Sequence, residues 1–189
     1  MTEHVCFMLE ETGRRWHSYG RFEKGPCTVH GDYHHATSYV DDVDTEGAPD
    51  IPEDGDPRVP TTCDCGHIFS PHTTSTSSGR WYRDPRDGST FRHLAQAPAG
   101  AMWYAPYLLD GRWSLSPEYI RDHEGKRPPV VVQLPAGGAW CVDERARSNG
   151  QVHGTGWTVT GEAPKLTASP SILTPSYHGF LTDGVLRSC

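Results

Sequence analysis

The chain has 189 residues, of which 35% are hydrophobic, with 20 glycines, 16 prolines and a formal net charge of −7. That length suffices for one globular domain with its own core, or a domain plus a small module, and the glycine and proline content favours turns and strands over long helices. No apolar run reaches the ~20 residues of a membrane span, and the start "MTEHVCFMLEE" has neither the basic opening nor the small-residue cleavage site of a signal peptide. The sequence therefore reads as soluble and unexported, without a membrane partner.

In chain order, the first element is the apolar run "HVCFML" (4–9), expected to form a hairpin with "WHSYG" across the turn "EETGRR" and to pack beside the module that follows. That module opens with "GPCTVHG", in which Cys27 and His30 are separated by two residues and Gly31 follows. A matching element, "TTCDCGH", has Cys63 and Cys65 separated by one residue and followed by Gly66 and His67. Both have the form of zinc-knuckle turns, where backbone N–H groups point at a thiolate and a closing glycine lets the chain reverse.

Six cysteines in an unexported chain point to metal binding or packing rather than disulfides. The spacing predicts a structural Zn2+ site made by Cys27, His30, Cys63 and Cys65. The CxC spacing narrows the bite of the second pair, so His67 is the alternative fourth ligand, and His34, His35 and His72 are rivals close in sequence. Packing of the cysteines as free thiols is the competing reading. A catalytic zinc would need an open water position and a general base. Asp32 and Asp64 read as turn residues, so a closed structural site is expected.

Between the ligand pairs lies "DDVDTEGAPDIPEDGDP" (41–57), which carries eight carboxylates and no basic residue and leaves the rest of the chain at +1. Its composition is that of a solvated loop inserted in the module, and it lacks the ligand spacing of a calcium-binding EF-hand loop. Loop closure costs grow slowly with length, so the insertion is compatible with a metal tether at its ends. The Ser/Thr-rich "HTTSTSSGR" (72–80) reads as a linker. The domains expected are a zinc-knuckle module over 1–72 and a β-rich domain over 80–189.

Beyond the linker, "WYRDPRDGSTFRHL" reads as a hairpin around an Asp-Gly turn, and "SPEYIRDH" (116–123) as a helix capped by Ser116 with Pro117 in its first turn. "PPVVVQLPAGGAWCVD" gives two antiparallel strands around Pro-Ala-Gly-Gly, with Cys141 as a packing residue of the second. "GWTVTG" (156–161) is a further strand, and "HGFLTDGVLR" (178–187) a hairpin turning at Asp183-Gly184. The fold class expected is mainly β, or small α+β: a zinc-stapled N-terminal knuckle module followed by an antiparallel β-rich domain.

"APAGAMWYAPYLLDG", "GRWSLSPEYIRDHEGKRPPVVVQLPAGGAWCVD", "GWTVTGEAPKLTASPSI" and "YHGFLTDGVL", together with the GPCxxHG and CxCG elements, resemble an uncharacterised family of small proteins from tailed phages of actinobacteria. The family's paired-cysteine element is usually CxxCG, and the CxC here departs from it. The resemblance implies action in the host cytoplasm or in the virion, and it supplies no mechanism.

No nucleophile elbow, HExxH or phosphate-cradling glycine loop is present. Thr167, Ser169, Ser171, His178 and Asp183 offer hydrolase residue types that any loop-rich chain can assemble, and Cys141, His153 and His178 form only a weaker second metal constellation. No catalytic residue is assigned. The expected function is a zinc-binding, non-enzymatic module that binds a host or virion protein through the aromatics Trp103, Tyr104, Tyr107 and Trp113. The alternatives are a virion structural or accessory protein held in an assembly, including a homo-oligomer, and a zinc-dependent hydrolase or nuclease. Arg80, Arg83, Arg86 and Arg92, interleaved with Trp81, Tyr82 and Phe91, would suit single-stranded nucleic acid. Asp84 and Asp87 dilute that patch and argue against nucleic acid as a partner.

Overall fold

The computed structural model describes residues 2–44, 49–53, 55–71, 74–104, 130–142, 147–148, 151–152 and 157–189. Its regular structure is almost entirely strand, and one short 3-10 turn, Leu94–Gln96, interrupts it. The chain is thus mainly β, its sheets largely antiparallel among the described residues, with Phe7–Met8 beside Ala101–Tyr104 a parallel pair. Among the described residues no helix is long and apolar enough to cross a membrane. The helix expected over 116–123 lies outside the described residues.

Two compact units result: Glu11–Tyr82, and Met1–Glu10 together with Arg83–Cys189. The second contains a five-stranded sheet made by β1 (Glu3–Val5), β12 (Thr158–Glu162), β13 (Lys165–Leu173), β14 (His178–Thr182) and β15 (Val185–Ser188), in the order β1-β15-β14-β13-β12. A four-stranded sheet adds β2 (Phe7–Met8), β7 (Ala101–Tyr104), β8 (Val130–Gln133) and β9 (Ala139–Val142), in the order β2-β7-β8-β9. Alternation along β14, with Gly179 and Leu181 buried between exposed neighbours, is the period-2 signature of a sheet with one covered face. Leu166, Ala168, Ile172, Leu181 and Leu186 from the first sheet join Met102, Val130, Val132, Trp140 and Val142 from the second in one core. Trp140 and Trp157 meet edge to face there at 5.0 Å. A small hairpin, β10 (Arg147–Ser148) with β11 (Gln151–Val152), stands apart in the topology.

The β8–β9 and β14–β15 hairpins match the sequence reading. At the second, Asp183 and Gly184 both have positive φ, 46° and 72°, as a tight two-residue hairpin requires. The N-terminal hairpin is corrected. Glu3–Val5 pairs with β15 and Phe7–Met8 runs parallel to β7, so these two strands belong to the two sheets above and not to a hairpin with "WHSYG".

The Glu11–Tyr82 unit is built on one long hairpin. Strand β3 (Glu10–Cys27) pairs with β4 (Gly31–Asp41) in continuous antiparallel register from Trp16↔Asp41 to Lys24↔Tyr33, and a bulge precedes Cys27↔Gly31. Its strands take the order β4-β3-β5, with β5 at Thr74–Arg83, and β6 is the short strand Thr90–Phe91. Residues 74–80, whose composition suggests a linker, are therefore strand. Their small side chains are what the site demands: Ser77 Oγ lies 2.6 Å from Ser18 Oγ, and a Cβ on Gly79 would enter the Trp16 ring. At the end of β5, Arg83 leads into the turn expected at "DPRDGS", where Asp84 N–H bonds to the Ser89 carbonyl.

Candidate metal centre

The tip of the β3–β4 hairpin forms the first half of the site. After Cys27 the chain turns through Thr28, Val29 and His30, and Gly31 takes a φ of +80°, open only to glycine at little cost. Val29 and His30 N–H groups point at Cys27 Sγ at 3.4 and 3.3 Å. The second half is the turn at 61–69. Cys63 N–H donates to the His67 carbonyl, Gly66 N–H to the Cys63 carbonyl, and Gly66 has a φ of +90°. A single bridge between Thr62 and Ile68 closes it.

These two turns bring their sulfurs together. Cys27 Sγ and Cys63 Sγ are 3.8 Å apart, although the residues are 36 positions apart in sequence. Donor atoms of Cys27, His34, Cys63 and Cys65 all lie within 4.8 Å of one another, and the first three residues are buried. This Cys3His cluster is compatible with a bound metal ion. His30 belongs to the same neighbourhood: its Nδ1 is 3.6 Å from Cys27 Sγ and 3.4 Å from Cys63 Sγ. Phe69 and the half-buried Ala36 supply the apolar wall.

The electrostatics favour thiolate. Burial alone would push the Cys63 thiol up, but the backbone groups of Cys65 and His35 and the Cys65 and His30 side chains outweigh it and bring the group to about 5. Cys27, also opposed by burial, is brought to about 7 by the Val29 and His30 backbone and by the Cys65 and His30 side chains. Cys65 moves the other way: the His67 backbone lowers it, yet burial and the two neighbouring sulfurs prevail. The two sulfurs hold His30 above its ordinary value. Metal ligation requires deprotonated sulfur, and two of the three thiols are poised for it near neutral pH.

Of the four residues expected from spacing, Cys27, Cys63 and Cys65 belong to the four-donor cluster, while His30 lies beside it, near the Cys27 and Cys63 sulfurs. His34, named among the rivals, joins them, with Nδ1 3.2 Å from Cys65 Sγ. His67 stacks face to face on His34 at 3.8 Å and 10°, with Nε2 3.3 Å from Glu23 Oε2, outside hydrogen-bond geometry. His35 is exposed and contacts Thr37 Oγ1 through Nε2 at 2.9 Å. His72 lies outside the described residues. Strand alternation is the signal that separates the two adjacent histidines: His34 shares the covered face of β4 with Ala36, and His35 points to the other face.

The other expected constellations fare differently. Trp103 is buried, which corrects its assignment to an interface, while Tyr104 is exposed. Tyr107, Trp113 and His153 lie outside the described residues. His178 is exposed on β14, Cys141 is half-buried on β9, and the Thr167 hydroxyl accepts a hydrogen bond from Asp183 N–H. In the arginine stretch, Arg80 pairs with Glu11 at 3.0 Å, Arg83 with Glu10 at 2.6 Å and Arg86 with Asp84 at 2.7 Å, while Tyr82 is buried.

Compared with protein-family models, curated proteins and solved structures, the chain matches none of them.

Proposed function

We propose that this protein is a zinc-stapled, non-enzymatic interaction module. In it, Cys27, Cys63, Cys65 and one imidazole hold a structural Zn2+ that ties the β3–β4 hairpin to the 61–69 turn. One observation carries the reading. For Zn–S bonds of about 2.3 Å and Zn–N bonds of about 2.0–2.1 Å, a tetrahedral site has S···S edges of about 3.75 Å and N···S edges of about 3.5 Å. The Cys27–Cys63 edge is 3.8 Å, and the two edges to His30 Nδ1 are 3.6 and 3.4 Å. Thiolate and imidazole donors of this kind suit Zn2+ rather than the hard cations, which take oxygen ligands.

Protein donors fill the coordination shell. A zinc hydrolase or nuclease keeps one position for water, whereas three sulfurs and two imidazoles crowd this cluster, which favours the structural role. The surface beside the cluster supplies the interaction part. Phe22 and Tyr33 are exposed and stack at 5.0 Å on the hairpin face that also carries His35 and Tyr39, and large aromatic rings bury much area at small entropic cost when a partner covers them. From the resemblance to phage proteins, the partner is a host or virion protein, and the place of action the host cytoplasm or the virion.

Native mass spectrometry of the purified protein, with and without chelator, tests the metal. One zinc per chain is expected, absent from Cys63→Ser. A folded wild-type protein free of metal would overturn the reading, and so would hydrolysis of nucleic acid or peptide that depends on the metal.

A further inference from the structure

Beside the four donors of Cys27, His34, Cys63 and Cys65 stands a fifth, His30 Nδ1, close to two of the sulfurs, where a tetrahedral ion takes four. We propose that His30 and His34 are alternative ligands for one coordination position of the same metal, each through Nδ1, and that His30 is the one that can leave toward the surface. The inference rests on the metal reading above and adds a ligand exchange to it.

The geometry supports both rings. His30 Nδ1 lies 3.6 and 3.4 Å from the Cys27 and Cys63 sulfurs, on the edge those two thiolates define. His34 Nδ1 approaches from the Cys65 side at 3.2 Å, and its donor lies within 4.8 Å of all three sulfurs. With three thiolates bound, a closed zinc site has room for one of the two imidazoles. Zn2+ has a filled d shell and no geometric preference from d electrons, so exchanging one imidazole for the other carries no electronic penalty.

Their surroundings differ, and the difference sets their roles. His34 is 7% exposed. His67 stacks on it at 3.8 Å, and the Gly25 backbone lies so close that a Cβ there would sit 3.2 Å from His34 Nε2. His34 is the fixed ring. His30 is half-exposed at the hairpin tip and lies parallel to Tyr33 at 6.2 Å and 15°, and Tyr33 in turn stacks on Phe22. When His34 takes the metal, His30 is released onto this exposed aromatic face without loss of the ion. Exchange at the centre therefore changes the face offered to a partner.

Cadmium substitution of the full-length protein tests this without a mutation. In proton–cadmium correlation spectra, couplings to ring protons of both His30 and His34 are expected, either averaged in one species or divided between two cadmium resonances. Coupling to a single imidazole, with no second resonance, would overturn the exchange. Variants give an independent arm. His30→Ala and His34→Ala are each expected to keep one metal, with affinity reduced by about tenfold or less, while the double variant loses at least about a hundredfold, on the scale by which support around a metal site usually matters. If one single variant falls as far as the double and the other matches wild type, one histidine is the sole ligand and the proposal fails. A wild-type protein that takes up no metal would instead sink the reading on which the exchange depends.

Discussion

Replacing Cys63 with serine tests the largest energetic claim made for this fold. Cys63 stands between two donors, 3.8 Å from Cys27 Sγ and 3.4 Å from His30 Nδ1, so its loss removes the sulfur that joins the two turns. A metal bridge between Cys27 and Cys63 closes a loop over 36 positions. By the chain-entropy relation for cross-links, closing a loop of about that size withdraws roughly 4 kcal/mol of freedom from the unfolded chain. In a unit the size of Glu11–Tyr82, each kcal/mol moves the melting temperature by about 4–8 °C, so the variant should melt roughly 15–30 °C lower. The assay is thermal unfolding in the presence of zinc, read by hydrogen exchange in peptides from β3 and β4. Chelated wild type should resemble the variant, and chelator should change the variant no further. Cys189→Ser, at an exposed free thiol, is the control and should match wild type. If Cys63→Ser melts within a few degrees of wild type, the metal is not the staple and the reasoning falls.

Two further outcomes follow from the other unit. The Asp84 carboxylate is buried against the Arg86 guanidinium, which holds it below its ordinary range, so its contribution to stability is present above about pH 4, the unfolded value, and is lost as pH falls through the folded value. Wild type should therefore lose more stability than Asp84→Asn between pH 5 and 3 in urea titrations; equal losses would show that the pair contributes nothing. Gly184 has a φ of +72°, and a Cβ there would meet the Pro164 carbonyl oxygen at 2.6 Å, so Gly184→Ala should cost at least about 2 kcal/mol in chemical denaturation, and a neutral result would mean that the β14–β15 turn relaxes freely.

What the sequence revealed and what it hid have physical causes. The location of the Cys/His cluster was legible because turns are local: two ligands close in sequence and a glycine after them need no knowledge of the rest of the chain. His34 was only one rival among several, because its selection depends on register. It pairs with Glu23 while His35 pairs with Phe22, and only the covered side of β4 tells the two apart. The β8–β9 and β14–β15 hairpins were legible for the same local reason. Strand β1 was not, since its partner lies at the far end of the chain, with Glu3 opposite Arg187. Strand β5 hid behind linker-like composition. Its serines and Gly79 are small because Trp16, Ser18 and Gly20 of β3 lie beside them, and composition alone does not distinguish small-for-packing from small-for-flexibility.

The two units differ in the apolar packing that holds their segments in place. In the unit of Met1–Glu10 and Arg83–Cys189, Leu166, Ile172, Leu181 and Leu186 are almost fully inaccessible, and burying each aliphatic side chain of this kind contributes about 1.5–3 kcal/mol. The 61–69 turn has no such resource. Around it the packed apolar groups are Phe69 and Ala36, and the other members of the cluster are the three cysteines themselves. Its backbone makes only a few hydrogen bonds of its own, and polar contacts such as Arg21 Nη1 to the Ser70 carbonyl, at 2.6 Å, lie at its margin. A segment with so little apolar surface does not offset the entropy of its own ordering, which runs to about 1–2 kcal/mol per residue for the backbone alone. A metal held at this cluster, as proposed above, supplies a term of the order of 10 kcal/mol.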